Sequence, residues 1–181
     1  LDQIHGKNLS YNNYSDILAA LTISKSLPKN TGTVIVKHGN PCGVSALKNN
    51  LDSYKSALET DPISAFGGIV SCNYKITQKI AVMLNKIFLE VIVANGFDKK
   101  ALKILKSKKN LRLIDSSKIS FNQIWKLNSF DNFTLIQSED KKIFSKKDFR
   151  IVSKRQPSKS QIDNLIFAFN VCRYTKSNAI V

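Results

Sequence analysis

The sequence is poor in the residues that bind metals. It has three cysteines and two histidines among 181 residues, and no two cysteines form a CxxC pair. This scarcity excludes the common zinc-site patterns, so we expect no metal. An odd number of cysteines and the lack of a signal-like amino end favour a reducing compartment, and we expect a cytoplasmic protein.

Long apolar runs are also missing. The longest candidate, Leu89–Ala94, is interrupted by Glu90 and falls far short of the roughly 20 residues that span a bilayer, so we expect no membrane partner. No initiating Met precedes Leu1, and Val181 stands inside an apolar run. Both features predict that the chain is truncated from a longer sequence.

Acidic residues are few: 13 Asp and Glu face 28 Lys and Arg, for a net charge of +15. One interpretation is a polyanion partner, and a nucleic-acid-binding α/β domain without catalysis is the alternative function. The other is an AT-rich coding sequence, because the excess is mostly Lys, whereas Arg is favoured for specific phosphate and base contacts. The lysines scatter over predicted helix exteriors and loops, so we expect no nucleic-acid partner. A small phosphorylated substrate fits both interpretations.

Strand and helix signals alternate through the middle of the chain. The predicted strands are Val34–Val36, Ile69–Cys72, Val91–Val93 and Leu111–Ile114, and the helices between them begin near Asn50, Thr77 and Asp98. This order predicts a layered α/β fold with a largely parallel central sheet. Ligands bind beyond the carboxyl ends of strands in such sheets, so the loop after Val36 is a candidate site.

The flanking regions carry weaker signals. The predicted elements are a helix over Ser15–Leu27, a strand at Phe133–Ile136, a helix that begins with a capping box at Ser158–Gln161, and a turn into a further strand over Ser177–Val181. Both helices have an apolar face that is expected to point inward. The face of the first contains Ile17, Leu18 and Leu21, and that of the second contains Ile162, Leu165, Ile166, Phe169 and Cys172.

Adjacent basic side chains stand at the end of the first predicted strand. Lys37 and His38 precede a loop with Gly39 and Gly43, which permit unusual backbone angles and close approach of a ligand. His38 is a candidate general base, and Lys37 is a candidate stabiliser of developing negative charge. The alternative is a hydrogen-bonded loop histidine beside a solvated lysine. Cys42 is either a nucleophile or a structural thiol. The only plausible base for it is His38, and no third group that would orient this pair is evident.

Two further segments are candidates for ligand binding. Asp61–Gly68 surrounds Phe66 with small residues, a composition that suits either a ligand-binding loop or an ordinary Gly-rich turn. It contains neither a Walker loop nor a dinucleotide fingerprint. Glu90 interrupts an apolar run, and a carboxylate entering a buried strand needs a partner. It lies either at the exposed start of that strand or against a ligand amine or amide.

Several short motifs, taken together, resemble the AICAR (aminoimidazole-carboxamide ribonucleotide) transformylase family, almost from end to end. The motifs are His5–Asn13, Val36–Gly43, Asp61–Gly68, Glu90–Phe97, Lys108–Leu113, Ser153–Pro157 and Lys176–Val181, in this order. The resemblance implies formyl transfer from 10-formyltetrahydrofolate to the 5-amino group of AICAR in purine biosynthesis. It also implies cytidine-deaminase-like α/β lobes without the deaminase zinc, a homodimer, and an IMP cyclohydrolase domain in the parent protein.

The resemblance also implies roles for individual residues. His38 takes the amine proton, Lys37 stabilises the transition state, and Asn178 helps to hold both reacting groups. The substrate-binding residues that it implies are Asn13, Phe66, Gly67 and Glu90.

The chain departs from the family pattern at Asp131–Thr134, where Gly-Gly and apolar residues are usual, and at Asn95, where proline is common. Residues 1–118 are expected to form the first lobe of the transformylase module, and residues 119–181 a connection and the incomplete start of a second lobe. Because the phosphate- and folate-binding residues are expected outside it, the isolated chain is predicted to be inactive.

A zinc deaminase is excluded by the missing H-x-E and P-C-x-x-C signature.

Overall fold

The computed structural model describes residues 1–120 and 125–181. It divides into two compact units, one formed by Leu1–Ile119 with Tyr174–Asn178 and the other by Ser120–Arg173 with Ala179–Val181. The expected lobe boundary at 118/119 falls beside this division. Residues 121–124, within the second expected segment, lie outside the described residues, and the assignment of the segments to lobes of a transformylase module stays a prediction.

The first unit is built on one six-stranded sheet, in the order β1-β6-β5-β4-β2-β3. Its strands are β1 (Asp2–His5), β2 (Thr33–Lys37), β3 (Asn40–Ser45), β4 (Ile69–Cys72), β5 (Val91–Ala94) and β6 (Arg112–Asp115). Its helices are α1 (Tyr11–Ser26), α2 (Asn50–Thr60), α3 (Pro62–Ala65), α4 (Gln78–Leu84) and α5 (Lys99–Leu105). The predicted strands and the helices between them are therefore confirmed, whereas β1, β3 and the short α3 were not predicted.

The direction of the strands is mixed. Strands β4, β5 and β6 are parallel, as predicted. Strand β2 runs antiparallel to β4 and to β3, and β1 runs antiparallel to β6. The predicted Gly/Pro loop after β2 folds back as β3, and this extra reversal turns β2 against the parallel strands. The carboxyl end of β2 consequently lies beside the amino ends of β4–β6. The rule for carboxyl ends of parallel strands therefore does not apply to this loop, and its role as a ligand site stays a prediction.

Helices cover both faces of the sheet because successive strand residues point to opposite sides. Ile17 and Leu21 of α1 are buried against Val34, Val36 and other residues of one face. Helices α2, α4 and α5 bury the other face together with the alternate strand residues. The prediction that Leu18 faces inward was wrong, since this residue is 41% exposed.

The helix ends follow the local sequence closely. Ser10 caps α1, which begins four residues before the predicted start, and the helix ends before Pro28. Asn49, one residue before the predicted start near Asn50, caps α2, because its side chain accepts hydrogen bonds from the backbone of Leu51 and Asp52. Asp98 caps α5, so this helix begins where it was predicted.

The second unit contains a two-stranded antiparallel sheet and one helix. The hairpin is formed by β7 (Trp125–Phe130) and β8 (Phe133–Ser138), and α6 (Lys159–Cys172) begins with the predicted capping box at Ser158. A short 3₁₀ helix covers Lys146–Asp148. The predicted inward face of α6 is largely open, since Leu165 and Phe169 are exposed and Val171 is its buried residue.

The end of the chain also differs from expectation. Residues 177–181, which were predicted to enter a strand, are described without a strand or helix. A strand requires a partner edge for its backbone hydrogen bonds, and none is paired with this segment in the described structure.

Candidate active site

The hairpin between β2 and β3 places Lys37 and His38 at one edge of the sheet. Lys37 pairs with Asn40, which leaves His38 and Gly39 as a two-residue loop. His38 has φ 55° and Gly39 has φ 74°. Positive φ at both loop residues is the pattern of a type I′ hairpin turn, whose twist matches the flanking strands. The turn therefore leaves the Lys37 side chain partly buried at the strand end and the His38 side chain exposed.

Strand register brings the other predicted site residues to the same edge. Val36 of β2 pairs with Ile69 of β4, Ile69 pairs with Val91 of β5, and Val91 pairs with Arg112 of β6. The residues just before β4 and β5 are Gly67–Gly68 and Glu90. The end of β2 and these two segments thus line one side of the first unit.

Lys37 contacts the second predicted segment directly. Its Nζ donates a hydrogen bond to the backbone oxygen of Phe66 at 2.6 Å. Phe66 is 60% exposed, and the centroid of its ring lies 5.3 Å from that of the Phe88 ring. Gly67 has φ 74°, and its N–H donates to the Phe88 backbone oxygen at 2.9 Å. This arrangement holds the Lys37 ammonium group beside a loop that combines an exposed aromatic ring with a glycine, where no side chain blocks the approach of a ligand.

Glu90 stands immediately before β5, at the exposed start of the strand. Its side chain is 43% exposed. Asn13 of α1 donates from Nδ2 to Glu90 Oε2 at 2.8 Å, which joins two residues that the resemblance had singled out separately. The guanidinium of Arg112 lies 3.9 Å from the same oxygen. The carboxylate is thus held from two sides, and its exposed part is free to accept a ligand N–H.

Arg112 is a site residue that sequence reasoning did not assign. The side-chain Nε of Arg112 donates to the backbone oxygen of Asn8, and the backbone N–H of Arg112 donates to the Glu90 backbone oxygen. The available signal was its place at the start of the strand after Glu90, because parallel neighbours in register lie side by side.

Asn178 belongs to a segment, Tyr174–Asn178, that clusters with the first unit. Within this segment the backbone N–H of Lys176 donates to Asn40 Oδ1 at 3.2 Å, and Lys176 Nζ donates to the His38 backbone oxygen at 3.3 Å. Among the described contacts, the Asn178 carboxamide accepts from Ser177 Oγ and does not bond to Lys37 or His38. The structure therefore brings the segment to the turn, while a shared role for Asn178 stays a prediction.

Cys42 has the properties of a structural thiol. Burial raises the pKa of Cys42, and the nearby charge of Asp61 raises it further. Its Sγ donates weakly to the Ile35 backbone oxygen and packs against the core. A raised pKa disfavours the thiolate that nucleophilic attack requires.

Among residues 1–120 and 125–181, no three His, Cys, Asp or Glu side chains are grouped as metal ligands. In the same part of the chain, no helix is both long and apolar enough to cross a membrane.

A cavity of about 430 Å³ opens at the opposite edge of the sheet, beside Cys72, Asn95 and Ser116. It is remote from Lys37 and Glu90 in the sheet register, and none of the predicted site residues lines it.

Comparison with known proteins shows relatives along the whole chain. The model of the AICARFT/IMPCHase bienzyme family matches residues 1–181. A bifunctional purine biosynthesis protein PurH from Caldicellulosiruptor saccharolyticus is 40% identical over 181 residues, covering 99% of this chain and 35% of that protein. The PurH of Buchnera aphidicola subsp. Acyrthosiphon pisum is 44% identical over 181 residues, covering 99% and 34%. The chain thus spans about a third of the length of these relatives.

Among solved structures, a dCMP deaminase from the cyanophage S-TIM5 matches with a TM-score of 0.42 and 12% sequence identity. The match covers 56% of this chain and 94% of the deaminase.

Proposed function

The chain belongs to the AICARFT/IMPCHase bienzyme family, and from this membership we propose that it works in purine biosynthesis. The proposed reaction is formyl transfer from 10-formyltetrahydrofolate to the 5-amino group of AICAR. In this proposal the edge formed by the His38–Gly39 turn, the Phe66–Gly68 loop and Glu90 binds the nucleotide and carries the catalytic groups.

The chemical difficulty is a weak nucleophile, because the AICAR amine is conjugated with an electron-poor ring. His38 removes the amine proton as the amine attacks the formyl carbon. The bond between that carbon and N10 of the folate then breaks, and the proton passes to N10 of the departing tetrahydrofolate. Its side chain is exposed at the tip of the turn, where a substrate can reach it. A positioned general base of this kind contributes roughly 10²–10⁴-fold.

Lys37 supplies positive charge for the tetrahedral transition state. Its ammonium already donates to the Phe66 carbonyl oxygen, so its position is set before the substrate binds. One preorganised donor to a developing oxyanion is worth about 3 kcal/mol. Asn178, carried by the segment that contacts the turn through Lys176, is proposed to hold the reacting groups.

Glu90 is proposed to accept hydrogen bonds from the base of AICAR, with Asn13 holding the carboxylate in place. The exposed face of Phe66 provides a surface for the flat ring, and the absence of a side chain at Gly67 permits close approach. We further propose that the active protein is a homodimer, that reduced folate is the cosubstrate, and that the parent protein also has IMP cyclohydrolase activity.

The observation that carries the proposal is the convergence of Lys37, the Phe66–Gly68 loop and the Asn13–Glu90 pair on the same sheet edge as His38. These residues come from four separate parts of the sequence, and their contacts connect the segments that the resemblance had identified one by one.

The decisive test is His38→Ala in the full natural polypeptide that contains these 181 residues. Formyl transfer should fall by at least about 10²-fold, because the base is lost, while the fold is kept. Product formation from AICAR and 10-formyltetrahydrofolate measures the rate. His5→Ala is the matched control, since His5 bonds to the Lys108 backbone oxygen away from the turn. Near-normal turnover by the His38 variant would refute the base role.

A further inference from the structure

A carboxylate that the proposed mechanism does not use lies against the catalytic turn. Asp16, on helix α1, accepts a hydrogen bond at Oδ1 from the backbone N–H of Gly39 at 2.7 Å. Its Oδ2 accepts from the N–H of His38 at 3.3 Å. Both oxygens are therefore directed to two successive backbone donors, and bonds to a charged acceptor are stronger than neutral ones.

The turn needs such support because of the residue at its first position. His38 adopts φ 55°, a region that a β-carbon disfavours and that hairpin turns of this type usually fill with Asn, Asp or Gly. A histidine persists there when surrounding contacts hold the backbone. Asp16 holds the N–H side, and Lys176 Nζ donates to the His38 carbonyl oxygen on the other side.

The same helix also touches the substrate-binding half of the proposed site. Asn13 and Asp16 are three residues apart on α1, so they lie on one helix face. Asn13 bonds to Glu90 and Asp16 bonds to the His38–Gly39 turn. The buried residues of α1, Ile17 and Leu21 among them, pack the helix against the sheet, so the two contacts are held at a constant spacing.

We infer that Asp16 is a positioning residue for formyl transfer. It fixes the backbone of the His38–Gly39 turn and thereby the direction in which the imidazole leaves the turn relative to Glu90. This role rests on the proposed function, since it acts only through His38.

The test compares Asp16→Leu and Asp16→Asn in the full natural polypeptide. Asp16→Leu should lower kcat roughly 10- to 100-fold, because a displacement of a catalytic group of about 1 Å has that effect. The KM for AICAR should change little, since Asn13 and Glu90 are intact. Asp16→Asn keeps one acceptor oxygen and should lie in between. Asp163→Leu, an exposed aspartate on helix α6, is the matched control and should keep normal kcat.

The His38→Ala background separates positioning from general damage to the structure. If Asp16 acts only through His38, Asp16→Leu should lower the residual rate of His38→Ala no further. Circular dichroism and thermal unfolding report whether each variant folds. If Asp16→Leu does not fold, Asp16→Asn is used for the comparison instead.

Four results would contradict the positioning role or the proposed function. Normal kcat in both folded Asp16 variants, or a raised KM with unchanged kcat, would overturn the positioning role. An additional loss in the His38→Ala background would overturn it as well. Near-normal turnover of His38→Ala itself would instead refute the proposed function.

Discussion

Glu90 is the residue whose surroundings bear most directly on the proposed binding of AICAR. It combines an amide donor from Asn13 with a guanidinium from Arg112, and it keeps an exposed part. A carboxylate so held is a hydrogen-bond acceptor with little freedom to reorient. Such a group favours a ligand with N–H donors, which AICAR has in its amine and carboxamide.

Glu90→Gln tests this at the level of one charge. The variant keeps the size and one acceptor oxygen but loses the negative charge, and bonds to charged groups are stronger than neutral ones. We expect the KM for AICAR to rise about 10-fold, which corresponds to about 1.4 kcal/mol, with a smaller change in kcat. Steady-state kinetics of formyl transfer measure it. Glu59→Gln, on the exposed side of α2, should change neither value; an unaltered KM for the Glu90 variant would contradict its assignment.

At the scale of elements, the β2–β3 hairpin depends on how closely α2 approaches it. A β-carbon at Gly43 would lie 1.8 Å from the backbone oxygen of Ala57, an atom that a rigid helix cannot easily move. Gly39 is different: its nearest neighbour is the end of the flexible Lys176 side chain at 3.4 Å, but its φ is +74°.

We therefore expect Gly43→Ala to lower the free energy of unfolding by about 3 kcal/mol, at the top of the range for overpacking. Gly39→Ala should cost about 1–2 kcal/mol, from backbone strain alone. Urea unfolding of both variants measures the difference. Equal losses, or a smaller loss for Gly43→Ala, would show that β3 and α2 are not packed this closely.

A buried cluster of polar side chains between the sheet and α2 is expected to make the free energy of unfolding fall at high pH. Burial raises the pKa of the Cys72 thiol to about 12 and that of the Tyr54 phenol to about 12. Burial also raises the pKa of Tyr74, whose hydroxyl lies 2.6 Å from Thr33 Oγ1. In the unfolded chain these groups ionise near their ordinary values, about 8.5 for Cys and about 10 for Tyr.

The folded chain consequently holds more protons than the unfolded chain above about pH 8.5. The stability that these groups contribute is fully present below that pH. It is lost as the pH rises toward 12, by at most about 1.4 kcal/mol per pH unit for each group. Urea unfolding at several pH values between about 8 and 11 measures the slope, and Cys72→Ala should make it shallower between about 8.5 and 10. A free energy of unfolding that stays constant across this range would contradict the burial of these groups.

At the scale of the whole molecule, the net charge of +15 is the property that family membership does not explain. If it reflects composition rather than a nucleic-acid partner, duplex DNA should bind no more tightly than non-specific contacts allow, about 10⁻⁴–10⁻⁶ M at physiological salt. Fluorescence anisotropy with a labelled duplex measures this. Salt-dependent binding tighter than micromolar would revive the nucleic-acid alternative.

The sequence alone was sufficient for elements whose signals are local. The β-branched runs of β4 and β5, the caps at Asp98 and Ser158, and the motifs that identify the family all lie within a few consecutive residues. The Asn40–Ser45 strand was missed because Asn, Pro and Gly are rare in strands, so its pairing with β2 had no local signal.

Tertiary structure decided what depends on residues far apart in the chain. Only the pairing of β2 against β4 showed that Lys37 and His38 lie at the amino ends of the parallel strands. The bonds of Asn13 to Glu90 and of Asp16 to the His38–Gly39 turn join residues 77 and 23 positions apart. Periodicity and capping report the conformation of one segment, whereas chain direction, register and such contacts arise when separate segments pack, and so they appear only in the folded molecule.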